Sequence, residues 1–349
     1  MNHRVSLAVL SLFALATHPV HAHHAAAATF DTSEDVEIEG FVTDFSFANP
    51  HINIYVMVTD DNGAETEWVA TGPAVAGFRR WGWTEDMLEG GEYVRLVGRA
   101  ARHGGPMILM ERADIEGGSL LELDPADGSL IRVLTGPSPD QTPDDLIRPG
   151  LTLADGRPNL SGTWLAVEPG SGSPQATPQY NEIGQGLQDA FDPTQDPAYT
   201  QCEPRGLVGI ITQIQSVRVM QHDDYVVIEN EGTGTRRLIY LDGRSANFND
   251  HTRLGHSRAR YEGNALVIET NQLLGGFTTG RGNPLSDMLT TMETYRRADD
   301  AENAALAMSL VINDPGYLSA PWERSWRKLQ TLNYEFARTD CRLPVRGDL

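Results

Sequence analysis

The stretch from Tyr225 to Thr270 constrains this chain more than any other. It holds three strand-like runs, Tyr225–Glu231, Arg236–Leu241 and Ala265–Thr270, separated by Gly-rich turns. Runs of this length, rich in Val, Ile, Leu and Tyr and broken at hairpin spacing, predict antiparallel β structure. Side chains alternate along a strand, so the charged residues fall into faces, and they are expected where the alternation points a side chain inward. Tyr225, Val227, Glu229 and Glu231 share one face of the first run. Arg236, Leu238, Tyr240 and Asp242 share a face of the second, and a Glu–Arg pairing across the hairpin is expected.

The rest of the second half extends this pattern. Further strands are expected at Ile211–Met220, Thr291–Arg297 and Leu306–Ile312. The segment Trp322–Phe336 is ambiguous in pattern, and a short helix followed by a strand at Leu332–Phe336 is one reading of it. About six to eight antiparallel strands in this length predict a closed up-and-down barrel that holds one small ligand. The half opens with Asn159-Leu160-Ser161-Gly162-Thr163-Trp164. Its Gly-x-Trp resembles the entrance motif of lipocalin-like barrels, which implies that Trp164 packs over the barrel floor.

The first half is also β-rich. Val36–Phe45, Ile52–Val58, Glu65–Ala70, Tyr93–Ala100 and Met107–Asp114 read as strands, with Asn62-Gly63 marking a hairpin and a short helix near Pro73–Trp81. Five short strands and one helix predict a small OB-like barrel. The fold class expected is therefore mainly β, an OB-like five-stranded barrel followed by a lipocalin-like antiparallel barrel. A Pro-, Gly- and Asp-rich connector separates them. The boundaries read as 1–22, a targeting segment; 23–117, the first barrel; 118–158, the linker; and 159–349, the second barrel.

The opening residues give an address. Arg4 precedes the apolar run Val5–Ala16, and Val20-His21-Ala22 places small residues where signal peptidase reads them. The apolar run is too short to span a membrane, so the mature chain is expected to be exported, to a periplasm or beyond, without a membrane span. In an oxidising compartment Cys202 and Cys341 suggest one disulfide, the alternative being two separate thiols.

Several motifs carry a resemblance. Asp242-Gly243-Arg244, Gly255-His256-Ser257 and Tyr261-Glu262-Gly263 resemble an exported bacterial family of unknown function, with Asp314-Pro315 and Pro321-Trp322 as later landmarks. The His-His start at His23 and His24, the triplet Asn49-Pro50-His51 and the arginine of Arg80-Trp81-Gly82-Trp83 resemble a companion family, also of unknown function. The resemblance implies a shared architecture and lends no activity. The chain departs from the first pattern at Ala259, Tyr261 and Asn264-Ala265, and Cys341 lies three residues after its expected place behind Glu335-Phe336-Ala337.

Chemistry is narrowed by exclusion. A net charge of −21 argues against nucleic acid or an anionic membrane as partner. Gly255-His256-Ser257-Arg258-Ala259 looks like a nucleophile elbow, but a strand pattern follows it and His256 is the last histidine of the chain. The Ser–acid–His order of that hydrolase class therefore has no histidine to complete it.

Three readings remain. The first is a carrier of a small, partly apolar molecule in the second barrel, with Arg236, Tyr240, Asp242, Arg244, Ser257 and Trp164 as ligand-binding candidates. The second is a cofactor-free isomerase, lyase or hydrolase in which His256, with Glu229, Glu262 or Glu293, moves a proton. Its alternative is a structural ion-pair network. The third is copper binding through the mature N-terminal amine and imidazole of His23, with His24, and with His51 or His103 as a further donor. A frayed N-terminus and a hydrogen-bonded turn histidine are the plainer accounts of those residues. A second barrel filled by its own side chains would sink the first two as seated in its lumen.

Overall fold

A computed structural model of the chain describes residues 30–80, 83–102, 104–115, 118–123, 130–133, 150–166, 177–192, 195–201, 203–212, 216–243, 250–279, 282–299, 304–331, 334–337 and 339–340. They build two β-barrels.

The first barrel comprises β1 (Phe30–Ser46), β2 (Asn53–Thr59), β3 (Glu65–Thr71), the short helix α1 (Val75–Arg80), β4 (Tyr93–Ala101) and β5 (Met107–Ile115). The long β1 serves two partners. Its residues 35–41 pair with β4, and its residues 41–46 pair with β2 after a register shift between Val42 and Asp44. A shift of this kind bends a strand and lets one strand turn the corner of a barrel. Parallel pairing of Val69–Thr71 with Met107–Leu109 closes the ring. The order β1-β2-β3-β5-β4 is that of the OB-like barrel expected, with Ile38, Ile54, Leu96, Ile108 and Trp83 in its core. Beyond β5 the sheet continues through β6 (Gly118–Leu123) and β7 (Leu130–Val133), so the polar stretch read as a linker begins as sheet. The buried Leu121 anchors it to the first core.

The second barrel begins with β8 (Gly162–Ala166), followed by helices α2 (Glu182–Asp189), α3 (Pro197–Thr200) and α4 (Leu207–Ile211). β9 (Val217–Gln221), β10 (Tyr225–Asn230), β11 (Thr235–Tyr240), β12 (His256–Glu262) and β13 (Ala265–Asn271) come next. A small ribbon, β14 (Gly276–Phe277) with β15 (Pro284–Leu285), precedes β16 (Thr290–Arg297), β17 (Ala305–Asn313) and β18 (Trp322–Thr331). Nine strands close in the order β10-β11-β12-β13-β16-β17-β18-β8-β9. All neighbours are antiparallel except β11 and β12, which meet in parallel at Tyr240 and Arg258.

Two local expectations are corrected. Leu207–Ile211 is a helical turn buried at every residue, and the strand expected from Ile211 begins at Val217. An all-apolar run of a few residues has no period to separate buried helix from buried strand. The expected helix near Trp322 is a ten-residue strand, while Tyr334–Phe336 lies beyond it without regular structure. Its inward positions Trp322, Trp326 and Lys328 are spaced by even numbers, as strand pleating requires.

Candidate functional site

The wall of the second barrel is phased by its apolar residues. Val226, Ile228 and Ile239 are buried in its core. Arg237, two residues before Ile239, therefore faces the lumen as well, while Arg236 and Leu238 face out. Arg237 reaches Glu293 on β16 in a bidentate pair, Nη1 to Oε2 at 3.0 Å and Nη2 to Oε1 at 2.8 Å. The Tyr295 hydroxyl donates to Glu293 Oε2 at 2.7 Å. Arg237 Nη2 also donates to Ser257 Oγ at 3.0 Å, and Ser257 Oγ lies 2.8 Å from Thr270 Oγ1. Burial works against the charge of Arg237, but the Glu293 carboxylate outweighs it and raises the guanidinium pKa. Burial, and then Glu293, push the Tyr295 phenol well above its usual value. Fork-to-fork geometry is what makes so buried a pair tolerable.

The candidate acid–base residues do not converge. Glu293 is inside and fully engaged. Glu229 lies on the outer face, between its cross-strand neighbours Arg218 at 3.5 Å and Arg236 at 3.6 Å. The expected Glu–Arg pairing across the hairpin is thus present, but outside, and the inward placement expected for these charges is corrected: the buried Val226, Ile228 and Ile239 fix the opposite face as the lumen side. Glu262 is exposed near the β12–β13 turn and held by Arg260 at 2.6 Å. His256 opens β12 opposite Asn271, half-buried.

The ligand candidates scatter too. Arg236 is exposed, Tyr240 half-buried and Asp242 exposed in the turn after β11, while Ser257 is taken up by Arg237 and Thr270. Trp164 is fully buried, donates from Nε1 to the Leu160 carbonyl at 2.9 Å and lies under the Arg297 guanidinium, a core role in keeping with the barrel-floor expectation. Arg244, His23, His24, His103, Cys202 and Cys341 lie outside the described residues.

The lumen expected to hold a ligand is packed by its own side chains. Trp164, Tyr295, Ile268, Leu306, Leu310 and Trp322 belong to one continuous buried cluster. Alternation from the flanking strands supplied more large inward residues than the sequence pattern alone made visible. Room remains where α4 and the β14–β15 ribbon cover the barrel. There a small recess, with a cavity volume of about 20 Å³ and partly open to solvent, is lined by Leu207, Val208, Leu273, Leu274, Phe277, Leu285 and Leu289 with intervening Gly and Thr residues. Glycine is required in this cap. A Cβ on Gly209 of α4 would meet the Thr278 carbonyl at 2.6 Å, and one on Gly275 would meet the Leu285 carbonyl at 2.5 Å. The rim is apolar as well. Leu274 is 44% exposed and Met288, in the turn before β16, is 61% exposed. Among the described residues no charged side chain lines the recess. The sequence signal for the recess is the apolar density around Gly275 and Gly276, Leu273-Leu274 before and Phe277 after.

The histidine triplet sits at the end of the first barrel. Asn49-Pro50 is a cis peptide. Asn49 is fully buried, and neither Oδ1 nor Nδ2 of its side chain has a hydrogen-bond partner among the described residues. The His51 Nδ1 lies 3.0 Å from the Gly72 carbonyl. A carbonyl can only accept, so Nδ1 carries the proton; desolvation lowers the ring's pKa, and in the neutral form Nε2 keeps its lone pair. Among the described residues no group of three or more His, Cys, Asp or Glu side chains is placed to hold a metal ion.

Comparison with known proteins agrees with an uncharacterised family. A family of unknown function, DUF6152, matches residues 11–109, most of the first barrel. No curated protein and no solved structure matches the chain. No helix among the described residues is long and apolar enough to cross a membrane.

Proposed function

We propose that the protein is an exported carrier of a small apolar molecule, seated in the recess under α4 and the β14–β15 ribbon. The observation that supports this is the recess itself, a small concavity lined by apolar side chains and backbone over a filled barrel. Small-ligand sites are usually concave and mainly apolar in their side chains, and this one is small enough that the cap must open to admit a ligand. The enzyme reading is weaker because its acid–base residues fall on opposite faces of the wall. Export follows from the opening residues and is checked by the mass of the chain recovered from periplasm, with cleavage expected after Ala22.

The test of the carrier reading is titration with a fluorescent apolar dye. The intact protein is expected to bind it, and Leu274→Glu to weaken binding at least about tenfold, the equivalent of about 1.4 kcal/mol. Equal binding by the variant would remove the recess as the seat.

A second reading rests on His51. Metal-bound histidines commonly donate their other ring nitrogen to a carbonyl, as His51 does to Gly72. With the His23 amine and imidazole it would complete a nitrogen set for Cu(II). The mature protein would then take up one Cu(II), and His51→Ala would lose it. Unchanged uptake by that variant would exclude His51 as a ligand.

A further inference from the structure

Among the described residues, one short segment bonds to both barrels. The main packing partners of every first-barrel strand lie in the first barrel, and those of every second-barrel strand in the second. The segment is Tyr334–Ala337 with Thr339–Asp340, which follows β18. On the second barrel this segment gathers at Glu231, in the β10–β11 turn and 1% exposed. The Tyr334 hydroxyl lies 2.8 and 3.0 Å from its two carboxylate oxygens, and the Ala337 amide donates to Oε1 at 3.0 Å.

On the first barrel the same segment fills a seat. Ala337 is buried within the first barrel's core cluster. The Asp340 amide donates to the Asn49 carbonyl at 2.8 Å, and Thr339 pairs with Asn49 as a parallel bridge. Arg79 of α1 donates to the Glu335 carbonyl and lies 5.0 Å from the Tyr334 ring and 5.9 Å from that of Phe47.

We propose that the end of the first barrel is a docking groove for an extended segment, occupied by this chain's own C-terminal tail, and that the tail latches the barrels together. Three recognition elements fit such an occupant. A backbone bridge at Asn49 reads extended main chain, a small apolar pocket takes Ala337, and Arg79 clasps an aromatic residue. The groove lies in the part of the chain matched by the DUF6152 family, and its occupant comes from the far end of the sequence. Each barrel has its own core, so release of the tail frees one from the other without dismantling either.

The experiment is small-angle scattering with calorimetry on the full chain and two variants. Ala337→Asp places a charge in the pocket, and Tyr334→Phe removes one hydroxyl from Glu231. The native chain is expected to be compact and to melt in one transition. Ala337→Asp is expected to increase the radius of gyration and to split the melt in two, with the β-sheet signal of circular dichroism retained. Tyr334→Phe is expected to move both readouts in the same direction by less, and it carries the test if the charged variant does not accumulate. A radius and a single transition unchanged in Tyr334→Phe and in any soluble Ala337→Asp would overturn the latch. So would loss of sheet signal in both variants, since the tail would then be part of a barrel's fold.

Discussion

The wall formed by β9, β10 and β11 carries arginine–glutamate pairs on both faces, and the two faces follow different rules. Outside, Glu229 stands between Arg218 and Arg236 at 3.5 and 3.6 Å, and the Arg236 side chain is 66% exposed. Inside, Arg237 and Glu293 meet at 2.8 Å with side chains 3% and 1% exposed. Water solvates the outer charges whether or not they touch. Among the described residues the inner pair bonds to itself, Tyr295 and Ser257. Adjacent arginines of one strand therefore differ in consequence far more than in chemistry. Position relative to the barrel wall, rather than residue type, sets what a charge is worth here.

The largest expected effect breaks the inner pair from one side. Glu293→Leu leaves the Arg237 guanidinium buried without its counter-charge and is expected to cost about 3–5 kcal/mol. The double variant Arg237→Met/Glu293→Leu removes both charges and is expected to recover most of that loss. Urea unfolding measures it, provided the denaturant slope is unchanged. If the double variant is as unstable as the single one, the pair does more than satisfy its own burial, and a role for Glu293 in chemistry regains weight.

Lys328 sharpens the comparison, because its burial is less well compensated. Its side chain points into the second barrel at 3% exposure. Burial lowers its pKa from 10.5 to about 8, against the opposing pull of Glu231. The native lysine thus gives up its proton near pH 8, whereas the unfolded one keeps it to about 10.5. Between those values only the unfolded state binds the proton, so stability rises with pH across the window. Below about pH 8 the whole cost of the buried charge stands, about 3 kcal/mol. Above about pH 10 the trend turns, because Tyr295 keeps its proton in the native state after the unfolded chain has lost it. Denaturation from pH 8 to 10 is expected to show the rise in the native protein and a flat profile in Lys328→Met. A rise that survives the substitution would assign it to another group.

Much of the architecture was legible in the sequence, and the reasons are local. Hairpin spacing and alternation located the five strands of the first barrel, and Asn62-Gly63 marked its turn. Nothing local distinguished Arg236 from Arg237, because one residue of slip exchanges the two faces of a strand. Glu229 and Arg236 do face each other across the hairpin, but Glu231, grouped with them by alternation, is buried in the turn beyond the strand, and which face turned inward was decided by Val226, Ile228 and Ile239 together with the walls opposite. The recess was hidden for a related reason. It is made by Leu207 and Val208 meeting Leu273, Phe277 and Leu289, and only the closed barrel brings them together. The tail was hidden because its groove lies at Asn49 and Arg79, far away in sequence.

The smallest expected effect comes from the outer face, where Arg236→Ala should change stability by less than about 1 kcal/mol. Arg236 is mostly in water, its contact with Glu229 is a single one at 3.6 Å, and Arg218 remains beside the same carboxylate after the substitution. Salt should further shrink the difference between Arg236→Ala and the native chain, since exposed charges are screened. The informative measurement pairs it with Arg237→Ala under the same conditions. Arg237→Ala uncovers Glu293 inside the barrel and should be several-fold more costly and nearly indifferent to salt. Similar costs for the two would mean that the inner layer is wetter than its exposures imply, with solvent already reaching Glu293.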